Sequence, residues 1–303
     1  MHQLLRNRLH ANQLDVRGSL ETALPAGLQD STPRAGQLSL HARVSELGVD
    51  GWADPSLVQV WGLRLAAYIV RVDDVAIFTL GRLPRDDATT IEVADRVAAH
   101  LGDDEREPSQ VEAELGLPEF ELRRLSRSGR LLIRWNASTI TVRATACDAD
   151  PEWARIELAR RFVQVFGITD ATAFATWAGI SRADATLSLR GVSRVQATAT
   201  EFTGTRLLPV DDPYLRLDRP LLVPDADHRA SLFARGAVRG AILVDGSIEG
   251  WWQRQGSRVT LHPWGKLGDA EAEAWGLPVP GGVTSVVVSS ASAVARLPMK
   301  SGT

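Results

Sequence analysis

The stretch that most restricts the fold runs from Trp153 to Thr205, WARIELARRFVQVFGITDATAFATWAGISRADATLSLRGVSRVQATATEFTGT. Ile156, Ala159, Phe162, Val163 and Phe166 recur at helical spacing, and Gly167 ends that helix. Thr169 can cap a second, short helix that carries Phe174 and Trp177 and stops at Gly179. Ser181, with Asp184 three residues on, opens a third helix as a capping box, and Arg190 and Gly191 close it. From Arg194 to Thr200 apolar and polar residues alternate, which reads as a strand, and Phe202 to Leu208 can pair back on it. Three helices followed by a hairpin is the order of a winged helix, a fold that sets a short helix and a hairpin against nucleic acid.

The same order recurs upstream. Leu4, Leu5 and Leu9 predict an amphipathic first helix with Arg6 and Arg8 outward, and Ser19 predicts a helix to Leu24, before Pro25. Gly27 to Asp30 is a short link. Thr32 and Pro33 start a helix carrying Leu38, Leu40, Val44 and Leu47. The runs LVQVWGL and LAAYIV predict a hairpin with Arg64 between them, and Asp73 and Asp74 a helix start. Further on, Thr89 with Glu92, Ser109 with Glu112, and Pro118 open three helices, with Phe120, Leu122 and Leu125 inward on the last. RLLIRW and TITVRATA then form a hairpin around Asn136-Ala137-Ser138. The Pro-rich run 209–225 marks a boundary, and strands separated by Asp245-Gly246 and Gln255-Gly256 follow it. The expected architecture is α+β, with winged helices over residues 1–84, 85–148 and 149–210 and a small β-rich, barrel-like domain over 211–303.

Net charge is −3 over 303 residues, so any contact with nucleic acid must come from a local basic face. Cys147 is the single cysteine and the six histidines are scattered, so neither a disulfide framework nor a metal site is expected, and no cofactor. The N-terminal run lacks a signal-peptide core, and no apolar run approaches the about 20 residues a membrane helix needs. A cytoplasmic monomer, on the nucleoid when bound to DNA, is expected.

The sequence resembles the bacterial winged-helix DNA-binding family that contains the AlkZ-type DNA glycosylases, including enzymes that unhook interstrand crosslinks. The resemblance rests on Gly27-Leu28-Gln29, Ala42-Arg43, Trp61-Gly62-Leu63-Arg64, Ala159-Arg160-Arg161-Phe162 with Phe166-Gly167, and Phe174-Ala175-Thr176-Trp177 with Gly179. It continues through Leu207-Leu208-Pro209 and Ile242-Leu243-Val244-Asp245-Gly246 to Gly250-Trp251-Trp252. It implies three tandem winged helices around a DNA channel, followed by a barrel-like domain, with double-stranded, alkylated or crosslinked DNA as partner. Enzymes of the family carry Gln-x-Gln or Gln-x-Asp in the first module. Here Gln29 matches the first member and Ser31 replaces the second.

An N-alkylated purine is already cationic and leaves without a general acid. Its hydrolysis needs a stabilised oxocarbenium-like sugar and an aimed water, as in glycoside hydrolysis. An amide can hold that water by donating and accepting hydrogen bonds. Gln29 and Ser31, two apart on an extended segment, can share one site, with Asp30 facing the other way unless the backbone turns, in which case its carboxylate is a better catalytic partner for the sugar cation than Ser31. Alternatively Gln29 and Asp30 only cap the helix near Pro33. Arg64 either contacts phosphate or anchors the hairpin to a carboxylate. Arg123, Arg124, Arg127, Arg130 and Arg134 lie on and after a candidate recognition helix, and Arg190 and Arg194 lie in the third module; all read as phosphate contacts or as a solvated face. Arg160 and Arg161 either join them or pair with Glu157 and Asp170. The Trp-rich hairpin from Gly250 to Trp264 is either a stacking surface or core. The sequence is compatible with a monofunctional glycosylase for alkylated bases, a DNA-binding protein without chemistry, and a protein-interaction module.

Overall fold

A computed structural model describes residues 3–32, 34–193 and 202–289, and among these residues the chain forms two open β-sheets and twelve α-helices. The first sheet holds β1 (Leu28–Gln29), β2 (Leu57–Trp61), β3 (Ala67–Arg71), β4 (Glu105–Arg106), β5 (Leu131–Trp135) and β6 (Ile140–Ala144), in the order β1-β3-β2-β5-β6-β4. The two hairpins expected separately thus merge, because β2 pairs with β5 at Gln59 and Ile133. The second sheet holds β7 (Thr205–Leu208), β8 (Gly240–Val244), β9 (Ser247–Gln255), β10 (Arg258–Pro263) and β11 (Ser285–Val288), in the order β11-β10-β9-β8-β7. Among the described residues neither sheet closes, so the expected barrel is an open sheet. β7 pairs antiparallel with β8. The strand expected over residues 194–200 lies outside the described residues.

The helices are α1 (Gln3–Ala11), α2 (Ala35–His41), α3 (Val75–Phe78), α4 (Ala88–Leu101), α5 (Pro108–Glu114), α6 (Glu121–Leu125), α7 (Pro151–Phe166), α8 (Ala171–Ala178), α9 (Arg182–Ser188), α10 (Arg219–Leu222), α11 (Ala226–Leu232) and α12 (Ala270–Trp275). Their starts show what periodicity alone misses. Asp87 and Asp170, not Thr89 and Thr169, cap α4 and α8, since a carboxylate reaches the free N–H groups of the first turn better and meets the helix dipole. Glu112 does not box Ser109. Its carboxylate accepts from the backbone N–H groups of Phe120 and Leu122 and caps the next helix instead. α6 spans only Glu121–Leu125, and Phe120 sits in the left-handed region, exposed rather than inward. Ser19 to Leu24 forms turns, not a helix: six residues ahead of a proline offer too few i→i−4 bonds. Arg8 is buried, not outward, because its guanidinium donates to the carbonyls of Tyr214 and Leu217 at 2.6 and 2.8 Å.

The central core joins regions far apart in sequence. Phe162, Phe166, Phe174 and Trp177, from α7 and α8, pack with centroids 5.0 to 6.2 Å apart against Val60, Tyr68 and Phe78 of the first sheet and α3. Each such ring contributes about 1.5–3 kcal/mol of burial. This packing holds α8 against the β2–β3 hairpin. A second tie is ionic. Arg43, just after α2, makes a bidentate pair with Asp212 at 2.7 and 2.9 Å, both side chains fully enclosed. Ser39 and the Tyr214 N–H complete the carboxylate, at 2.8 and 2.9 Å. The segment after Pro209 is thereby pinned to α2.

Candidate functional site

Gly27 turns the chain into β1 with φ near +61°, where a Cβ would lie 3.0 Å from the Phe78 ring, so only glycine fits without a shift. β1 then runs antiparallel to β3, with Leu28 opposite Ile69 and Gln29 opposite Tyr68. Strand alternation sends Leu28 into a core with Leu40 and Ile69, and Gln29 to the other face beside Tyr68. Gln29 Nε2 donates to Ser31 Oγ at 3.1 Å, so the structure brings these two side chains together.

Donors converge on the Gln29 carbonyl. Arg64 Nη2 lies 2.9 Å from Oε1, the Tyr68 hydroxyl 3.3 Å away, and Arg216 Nη2 makes a third, short contact. Burial pushes the Tyr68 phenol up, which keeps it protonated and donating. The amide has one orientation that works, since a flip would turn its NH₂ onto two guanidinium groups. Arg64 is exposed, with a left-handed backbone against Gly179 at the end of α8, and its Nη1 reaches the Trp177 carbonyl at 3.4 Å. It anchors the hairpin to an amide and a carbonyl rather than to a carboxylate. Behind it, buried Arg82 donates to the carbonyls of Ala178 and Trp61; burial lowers its pKa to about 9, which leaves it cationic at neutral pH.

Asp30 points away from Gln29 and Ser31. Its Oδ1 accepts from the Gly36 N–H at 2.9 Å in the first turn of α2, and its Oδ2 accepts from Gln59 at 3.3 Å. Trp135 on β5 donates its indole N–H to the Asp30 carbonyl at 2.8 Å. Desolvation pushes the Asp30 carboxyl up to about 6, against the Gly36 N–H and Arg34, which pull it down.

The solvent-reaching carboxylate here is Asp211. Its Oδ1 accepts from Arg216 Nη2 at 2.7 Å and its Oδ2 from the Thr32 hydroxyl at 2.9 Å. Tyr68, Asp211 and Arg216 were not among the sequence candidates. Tyr68 could have been found from strand register. Asp211 and Arg216 lie in the Pro-rich run that reads as a boundary, and the contact of Arg216 with Gln29 spans 187 residues. No local pattern reports such a contact.

The expected phosphate contacts divide. Arg123, Arg134 and Arg190 are exposed, and Arg123 lies over the Phe120 ring at 5.4 Å. Arg124 is paired with Glu121 and Asp87, and Arg130 with Asp95 and Asp148, so this region is less bare of acids than the sequence suggests. Arg127 is half-buried, and burial lowers its pKa. Arg194 lies outside the described residues. Arg160 and Arg161 both pair with Glu157, and Arg161 with Asp74 rather than Asp170. In the Trp-rich hairpin, Trp252 is core while Trp251 stacks on His262 at 3.6 Å.

The family follows from residues 25–277, which match the model of the AlkZ-like DNA glycosylases: the chain belongs to that family. Its fold is similar to that of Streptomyces sahachiroi DNA glycosylase AlkZ, with a TM-score of 0.71 at 16% identity over 95% of this chain and 98% of that one. No curated protein matches the chain significantly. Among the described residues, no helix is long and apolar enough to cross a membrane.

Proposed function

We propose that this chain is a monofunctional DNA glycosylase that hydrolyses the N-glycosidic bond of alkylated bases in double-stranded DNA, crosslinked bases included. The observation that carries this reading is the Gln29–Ser31 pair at 3.1 Å, the two residues that the sequence resemblance matches to the family's Gln-x-Gln motif. Arg64, Tyr68 and Arg216 fix the Gln29 carbonyl, and its NH₂ keeps a hydrogen for a water beside the sugar. A cationic alkylpurine departs without protonation, so the site needs to hold water and stabilise the sugar cation rather than supply an acid. A lyase step needs an amine nucleophile, and the side chains bonded around Gln29 are Ser31, Arg64, Tyr68 and Arg216, none of them an amine, which supports hydrolysis alone.

In this reading residues 1–84, 85–148 and 149–210 act as three winged helices around the duplex, residues 211–303 flank them, and the protein works as a cytoplasmic monomer. Arg123, Arg134 and Arg190 meet phosphates. The test is product analysis on duplex DNA carrying N7-methylguanine. Free base and an alkali-labile abasic site, with no strand break before alkali, are expected. The rival reading, DNA binding without chemistry, is favoured by one feature, Ser31 at the position where the resemblance implies Gln or Asp. Salt-sensitive binding with no release of N7-methylguanine or N3-methyladenine would decide for the rival.

A further inference from the structure

Ser31 leaves the site short of a group that can face a cation, and the two guanidinium groups on Gln29 make this worse. Arg64 and Arg216 set a positive potential where an oxocarbenium ion must form. Asp30 cannot offset it, because its carboxylate is sealed inside and committed to Gly36 and Gln59. Asp211 can. Its side chain keeps 13% of its surface exposed, and each carboxylate oxygen, bound once, has a lone pair left. Thr32, Asp211, Arg216, Gln29 and Ser31 form one continuous hydrogen-bonded chain.

We propose that Asp211 is the catalytic carboxylate of this site, doing from the segment after Pro209 what the second motif residue does not do here. This inference rests on the glycosylase reading above. Asp211 faces the sugar and accepts a hydrogen bond from the attacking water. In the reaction, the C1′–N9 bond breaks and its electron pair neutralises the alkylated base. The water oxygen bonds to C1′, and the proton it sheds passes through Asp211 to solvent. Arg216 holds the carboxylate and Gln29 in one frame, and Thr32 fixes the other oxygen.

The experiment measures single-turnover release of N7-methylguanine from duplex DNA, alongside DNA affinity and melting temperature, for the native chain, Asp211→Asn and Asp211→Ala. Asn keeps the shape and an acceptor and removes the charge. The expected result is a loss of about 100-fold or more in rate for both variants, with affinity within threefold, in line with removing one electrostatic stabiliser. Added formate should restore part of the Asp211→Ala rate, which a purely structural role would not allow. An active native chain with Asp211→Asn within about threefold of it overturns the role of Asp211 and leaves the glycosylase reading standing. A native chain that releases neither N7-methylguanine nor N3-methyladenine overturns both. If Asp211→Ala unfolds, Asp211→Asn alone decides.

Discussion

A buried Asp30 predicts that the protein loses stability as pH rises from 4 to 7, and the effect can be isolated. In the unfolded chain this carboxyl ionises near 3.8, and in the fold burial pushes it up to about 6. A raised carboxyl means the fold disfavours the charge. Between those values the folded state binds more protons than the unfolded one, so the contribution of Asp30 is full below 3.8 and is lost as pH rises through about 6. The gap corresponds to ~3 kcal/mol. Other carboxyls shift with folding as well, Asp74 among them, since burial raises it too. The useful quantity is therefore the difference between the native chain and Asp30→Asn, which has no proton to lose at this site. Asn keeps an acceptor for the Gly36 N–H but sets a donor against Gln59 Nε2, a pH-independent cost of about 1 kcal/mol. Urea unfolding of both chains from pH 4 to pH 8 should show the native protein losing ~2–3 kcal/mol relative to the variant by pH 7. A constant difference across that range would refute the argument that burial governs Asp30.

Three further outcomes are expected. Arg43→Leu leaves Asp212 buried without its cation and should destabilise by about 3–5 kcal/mol in denaturant, and it should loosen Asp211 and Arg216 as well. Arg123→Ala and Arg134→Ala should each lower the slope of log affinity against log salt by about 0.9, one phosphate apiece, while Arg124→Ala, whose charge Glu121 and Asp87 already partner, should change it less. Gly36→Ala puts a Cβ 2.7 Å from Ile69 Cδ1 and 3.3 Å from the Asp30 side chain and should cost about 1 kcal/mol in thermal or urea melts, since the Ile69 methyl has to turn aside in a packed core.

What could be read from the sequence followed the range of the interactions. The helix ending at Gly167, the Ser181 cap, the β2–β3 and β5–β6 hairpins and the turn at Asp245-Gly246 are set by neighbours a few residues apart. The pairing of Gln29 with Ser31 came from strand periodicity in the same way. The merging of two hairpins through Gln59 and Ile133 did not, because both hairpins would look the same apart. Arg8 reads as a surface residue and nothing local marks Arg43 as buried, since the carbonyls and carboxylate that make their burial tolerable come from residues 212 to 217. The same segment supplies Asp211 and Arg216. Its proline and paired aspartates read as a linker, although they form a buried anchor with a partner in the site.

The most direct test of the site is the rate of N7-methylguanine release from duplex DNA by the native chain and by Gln29→Ala under single-turnover conditions. The account predicts release by the native protein and a loss of about 100-fold or more in the variant, with DNA affinity retained. Equal rates from the two chains would contradict it.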